Sequence, residues 1–390
     1  MKVAEQAAAD AAFGTDLYLK LGGPGNLVLS PASIAAALRM ALTGARGETA
    51  ATMAEALHLE SPEAARAGLR ELQEVAAASD GLLSVYNTAW IESDLPVRAD
   101  FLDQPVAVER ANFARQPEAA RQAINSAVAE QTKGKITDLI QPGLIGDLTR
   151  LVLVSAIYFK ARWAHQFPVR DTRKEPFFAG YEGYEGIPRS SPAVADHAQR
   201  SGPAQVDMMH MRARLAYQRG DGFTAVLLPY EGAPLAMAVV LPDGPLPELA
   251  GRLQELGGVG GVLHGILADP TECDVDLRLP KFTVTAAFLL RDTLQALGMG
   301  RAFSADADFS GITDEEPLPI SEVVHKAFID IDEQGTEAAA ATAVVMRAAG
   351  FIQKPPAKRV VLTVDRPFLF AVVETNSGLP LFLGQLTRPR

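Results

Sequence analysis

FIDIDEQGTEAAAATAVVMRAAG, Phe328 to Gly350, changes character in its middle. From Phe328 to Asp332 apolar and acidic residues alternate with period two, the pattern of a half-buried strand. Gly335 breaks the alternation, and the residues after it are almost all Thr, Ala and Val. Ala338 to Val345 carry no charge, no Pro and no bulky group, so they could pair on both edges and pack on both faces of a sheet. The same residues suit a helix. Ala is the best helix former, Glu333 and Glu337 favour an N-terminal turn, and Gly350 offers a C-terminal cap. Composition leaves strand and helix open.

The chain around this stretch has 390 residues, 48% hydrophobic and 21% charged, enough to bury a large core in one large domain or two. No run of about 18 apolar residues is present to cross a bilayer. Met1 to Lys20 carries Lys2, Glu5, Asp10 and Asp16 where a signal peptide would be apolar. The expectation is a cytoplasmic chain as written, or an extracellular one if a leader has been removed. A lone cysteine, Cys273, excludes an internal disulfide framework and any CxxC metal or redox site. The formal net charge of −11 argues against nucleic acid, an anionic membrane or a sulfated polysaccharide as partner. GxSxG, HExxH, GxxxxGKS/T and GxGxxG are absent, and the six histidines are scattered without helical ligand spacing. Neither a catalytic constellation nor a cofactor or metal site is indicated.

EQGTEAAAATA resembles the hinge of the reactive-centre loop in inhibitory serpins, the serine protease inhibitor family. Glu333, Gly335, Thr336 and the run Ala338, Ala339, Ala340 and Ala341 stand in the family's order and spacing. This resemblance decides between helix and strand, in favour of a bait loop that becomes a strand. A second match is independent of it. Asn26 to Ser30 is a short apolar segment, and Ser30–Pro31 marks a helix start, a hydroxyl cap followed by Pro at the first helical position. The helix is expected to run to about Thr43, and SPASIAAALRMALTGARGETAATMAEAL resembles the serpin signature along its length.

Further along, Pro62–Ala78 reads as a surface helix and Leu82–Ile91 as a strand with Trp90 in the core. Pro117–Ile140 contains an amphipathic helix whose tail, INSAVAEQTKGKITDLI, is similar to the serpin helix lying across the main sheet. LVLVSAIYF from Leu151 is a continuous apolar run of the kind found in strands buried on both faces, and it matches a central strand of that sheet. Residues 181–205, rich in Gly, Pro and Ser, read as an exposed, mobile loop. The segments from Val206, Thr224 and Leu235 resemble strands of a second sheet, Val275–Phe282 leads to a helix ending near Gly298, and three strands close the chain. The resemblance implies an α+β serpin fold, about nine helices around three β-sheets with a large mixed central sheet. It covers roughly residues 10 to 388 and implies a single domain over 1–390, with an exposed reactive-centre loop over about 333–358.

The resemblance also implies roles. Ser30, Ser33 and His325 fall in the cluster under the main sheet that lets its strands part, and Ser155 stands where serpins usually have Asn, with fewer hydrogen bonds to offer His325. Trp163, Lys281 and Glu333 fall at the top of the sheet, where insertion begins, and Lys281 and Glu333 are candidates to pair. A protease that cuts the loop is dragged as the segment from Gly335 enters an unfilled gap in the sheet. About a dozen residues at 3.3 Å each carry it on the order of 40 Å. Arg in place of Thr336 or Ala338 is expected to slow entry without harming the uncut fold. Counting about seventeen residues from Glu333 puts the scissile bond at Ala349–Gly350, suited to elastase- or subtilisin-like enzymes. Arg347–Ala348, Phe351 and Lys354 are the alternatives for trypsin- or chymotrypsin-like ones. The expected function is suicide inhibition of a serine protease by a monomer. The rival is a serpin that has lost inhibition and acts as carrier, chaperone or storage protein.

Overall fold

The computed structural model describes residues 3–103, 105, 107–179, 203–315, 317–336 and 357–389. In chain order, helices α1 (Val3–Leu21), α2 (Pro31–Gly44), α3 (Gly47–Ala56) and α4 (Ala65–Ala78) follow one another, with strand β1 (Leu27–Leu29) after the first. Strands β2 (Leu83–Glu92) and β3 (Val108–Ala111) flank the single turn α5 (Ala99–Leu102), and α6 (Pro117–Gln131) precedes β4 (Leu151–Phe159) and β5 (Ala161–Arg162). Then come β6 (Arg173–Phe177), β7 (Ala204–Arg219), β8 (Phe223–Pro229), β9 (Leu235–Pro242), α7 (Leu246–Arg252) and α8 (Gly258–Ala268). Strands β10 (Thr271–Pro280) and β11 (Phe282–Leu289), α9 (Arg291–Leu294), β12 (Glu322–Ile331) and β13 (Gly335–Thr336) follow. The chain closes with β14 (Arg359–Thr363), β15 (Phe368–Glu374) and β16 (Pro380–Leu386).

The expected α+β class holds, with nine α-helical segments among the described residues. Among the described residues the strands form two hydrogen-bonded sheets, because the 16-residue β7 is long enough to pair with β6, β8 and β10 and so joins two of the expected three. One sheet runs β1-β16-β15-β9-β8-β7-β10-β14, with β6 beside β7. The other, central to function, runs β3-β2-β4-β12-β13-β5, with β11 on the far side of β12.

Strand β4 sits where its sequence says it should. Leu151, Leu153, Ile157 and Phe159 enter the main core, while Val152, Val154 and Ala156 enter a second core under α6 with Trp90, Phe113 and Ile124. A strand apolar on both faces is covered on both. Its partner β12 lies parallel to it, with Val152–Tyr158 opposite Glu322–Phe328. Over that length the central sheet has no gap, a correction to the unfilled gap the resemblance implies.

Three local expectations also change. Helix α6 ends at Gln131, partway through the quoted tail, because Lys133 and Gly134 take left-handed backbone (φ 53° and 76°) and the Gly134 N–H turns back to Ala129 O at 2.7 Å. The Lys133 and Lys135 ammonium groups then lie over the Tyr158 and Phe328 rings of β4 and β12. Phe282–Leu289 is a strand, its buried and open positions alternating at first, and the helix that ends near Gly298 as expected is short, Arg291–Leu294 and one wider turn that stops where Gly298 takes φ 100°. Of the loop expected at 181–205, residues 181–202 lie outside the described residues, and Ala204 and Gln205 already belong to β7.

Candidate functional site

Two clusters bear on how β4 and β12 are held. The first begins with the helix start at Ser30. Its side chain accepts the Ser33 N–H at 3.2 Å, and Pro31 needs no acceptor, so α2 begins hard against the central sheet. There Asn87 of β2, Ser155 of β4 and His325 of β12 are direct neighbours in register, and Phe288 of β11 continues the row.

Hydrogen-bond donors fix the direction of this network. His325 Nε2 accepts the Ser30 backbone N–H at 3.0 Å, so the ring proton is on Nδ1, which donates to Ser155 Oγ at 2.9 Å. The Ser33 hydroxyl donates to Asn87 Oδ1 at 2.8 Å. The 2.9 Å bond between the two serines therefore runs from Ser155 to Ser33. Each hydroxyl donates once and accepts once, and the chain His325, Ser155, Ser33, Asn87 links β12, β4, α2 and β2. The shortness of Ser155 is thus made good: Ser33 bridges it to the amide of Asn87, a residue the sequence reading did not single out. Its signal was a polar side chain at the one break in the alternating apolar row Leu83, Val85, Ala89 and Ile91 of β2.

Burial holds His325 far down, at about 3, and the neutral ring is the only form that accepts from Ser30. Unfolded, it would titrate near 6.5. Stability from the neutral ring is complete above that pH and is lost as pH falls toward 3. Lowering pH from 7 to 5 should cost about 2 kcal/mol through this group. Urea unfolding of wild-type and His325→Gln proteins at the two pH values measures it, since the variant should lack that loss.

The second cluster lies at the top of the β4–β12 pair. Asp332 makes the chain turn, its carboxylate accepting the N–H groups of Gln334 (2.8 Å) and Gly335 (3.0 Å). Gly335 and Thr336 then enter the sheet as β13, antiparallel to β12 at Ile331 and to β5 at Arg162 and Ala161. Any side chain at Gly335 would overlap the Ala161 carbonyl oxygen, so the close approach of these backbones requires glycine. Trp163 is buried; its backbone N–H donates to Gln334 O at 2.8 Å and its indole N–H to Asp332 O at 2.9 Å.

Glu333 accepts from Lys281 Nζ at 2.8 Å and from the Thr172 hydroxyl at 2.8 Å. Its side chain is only 8% exposed against 38% for the lysine, so the pair is half-sheltered rather than a loose surface bridge. Burial works to raise the Glu333 carboxyl, but the Lys281 and Thr172 hydrogen bonds outweigh it and hold the group below its ordinary range. Thr336 is fully buried and its hydroxyl lies 2.6 Å from that of Tyr230, whose ring stacks on Trp163 at 4.6 Å and 15°. The expectation that Arg at 336 would spare the uncut fold is therefore overturned. Nothing local in the sequence pointed to Tyr230 or Thr172. Ala338, Ala339, Ala340, Ala341, Arg347, Ala348, Ala349, Gly350, Phe351 and Lys354 lie outside the described residues.

Comparison with known proteins identifies the family. The family model described as Serpin (serine protease inhibitor) matches residues 8–389. An uncharacterized serpin-like protein of Thermococcus kodakarensis is 36% identical over 389 residues, covering 97% of this chain and 84% of that protein. The leukocyte elastase inhibitor of Bos taurus is 34% identical over 397 residues, covering 98% and 99%. Among solved structures, human thyroxine-binding globulin complexed with its hormone superposes with a TM-score of 0.82 at 27% identity, covering 100% of both chains. A family model matching nearly the whole chain, with relatives above 30% identity over almost all of it, places this protein in the serpin family.

Proposed function

We propose that the chain is a single-domain (1–390), monomeric suicide inhibitor of serine proteases. A protease cuts the chain beyond β13, and the segment from Gly335 onward inserts between β4 and β12. Strand β13 is the observation that carries this reading. It stands at the mouth of the parallel β4–β12 pair and is antiparallel to its neighbours on both sides. Its extension would turn one parallel ladder into two antiparallel ones, which are somewhat more stable per residue. The uncut fold would then be a kinetic trap, and the small residues Ala338–Ala341 are of the size that enters quickly. In this reading the Ser30–Ser33–Ser155–His325 network governs parting of the strands, and Trp163, Lys281 and Glu333 govern entry at the top.

Ala349–Gly350 is the proposed scissile bond, and an elastase-like enzyme the proposed target, in line with the bovine elastase inhibitor relative. A carrier or storage role is the second reading, favoured by the likeness to thyroxine-binding globulin. Incubation with elastase-, subtilisin-, chymotrypsin- and trypsin-like proteases separates the two. Inhibition yields a covalent complex that survives a denaturing gel and a C-terminal fragment beginning at Gly350. A fragment beginning at Ala348 makes the target trypsin-like, and loop cleavage by every protease without any complex leaves only the second reading.

A further inference from the structure

Away from both clusters, α1, α2 and α4 enclose a charged group that the proposed mechanism does not use. Arg39, in the middle of α2, is 1% exposed, and both its Nη atoms go to Asp10 of α1, one at 3.2 Å and the other closer still. Gln6 Nε2 adds a bond to Asp10 at 3.3 Å. Helix α4 comes down on this assembly at Gly68, where a Cβ would lie 2.7 Å from Gln6 Cδ. Glu71, three residues on and so on the same face of α4, is 7% exposed, and its Oε1 is buried without a hydrogen-bond partner among the described residues. The charges acting on it are Asp10 from α1, Arg39 from α2, Glu74 from α4 and Glu374 from β15. Three repel a carboxylate, and the single guanidinium is already committed to Asp10.

We propose that Glu71 is a proton-operated latch, holding α4 against the α1–α2 pair when its carboxyl is protonated and loosening that contact when it ionises. A buried carboxylate with no cation of its own is costly, and the group avoids the charge by keeping its proton. Burial first, and the Asp10 charge second, raise its pKa to about 7. A folded-state value raised from the ordinary 4.5 contributes stability that is complete below the unfolded pKa and is lost as pH rises through about 7. Helix α2 carries Ser30 and Ser33, which tie β4 and β12, so the latch acts on the helix that holds the central sheet shut. It belongs to the uncut fold and stands or falls independently of protease inhibition.

The test is urea unfolding of the uncut protein, with native-state exchange of the α4 amides, between pH 5 and pH 8. Wild type is compared with Glu71→Gln and Asp10→Asn, because His325 titrates in the opposite sense and cancels in the difference. Relative to Glu71→Gln, the wild-type unfolding constant should rise on the order of 50-fold across that range. Asp10→Asn removes a like charge and frees Arg39 for Glu71, so its profile should shift to lower pH. It keeps the test open if the Gln variant folds poorly. Parallel wild-type and Glu71→Gln profiles, or an Asp10→Asn profile that stays in place, would overturn the latch.

Discussion

Cleavage within residues 337–356 should raise the unfolding temperature of this protein, the reverse of what nicking does to an ordinary loop. In the uncut chain β4 and β12 pair directly over Val152–Tyr158 and Glu322–Phe328, and, among the described residues of the segment after Asp332, Gly335 and Thr336 enter the sheet beyond them. An inserted strand of about a dozen residues replaces that one ladder by two, each new bond worth about 1 kcal/mol net. After the lost parallel ladder is subtracted, a gain on the order of 10 kcal/mol remains, or a rise in Tm of roughly 10 °C or more for a chain of this length. Calorimetry before and after limited proteolysis measures it. A fall in Tm, or none, would remove the insertion mechanism while leaving membership of the family untouched.

Thr336→Arg should destabilise the uncut protein by about 3–5 kcal/mol, measured as a lower urea midpoint. Thr336 is fully buried between β12 and β5, its hydroxyl on Tyr230, and burial pushes the Tyr230 phenol well above its usual range. A guanidinium in that position replaces the hydroxyl bonded to Tyr230 and crowds the Trp163–Tyr230 stack. Thr336→Val keeps the shape and leaves the Tyr230 hydroxyl unpaired, a loss of about 1–2 kcal/mol. Ala338→Arg is the contrasting variant: two residues further on, it is expected to leave the uncut fold alone and, if the proposed inhibition holds, to turn an inhibitor into a substrate. Wild-type stability for Thr336→Arg would mean that β13 does not stand in the sheet in solution.

Much of the fold is written in residues a few positions apart. The Ser30–Pro31 helix start, the apolar run of β4, the alternation that ends at Asp332 and the turn at Gly335 each depend on caps, side-chain periods and backbone freedom within about four residues. The order Glu333, Gly335, Thr336 and small residues is of the same kind, and it carries the resemblance to a serpin hinge. What meets what is a different matter. Asn87, Ser155 and His325 share a row only because three strands pair in one register, and Ser155 and His325 are 170 residues apart. Tyr230 reaches Thr336 from the other sheet. Burial, a property of the packed whole, holds His325 at about 3 and Glu71 at about 7, although nothing beside either residue in the chain distinguishes it. The sequence by itself determined most of the elements and the family; only the tertiary structure decided that Gly335 and Thr336 lie in the sheet, because their place there is set by backbone contacts with β12 and β5.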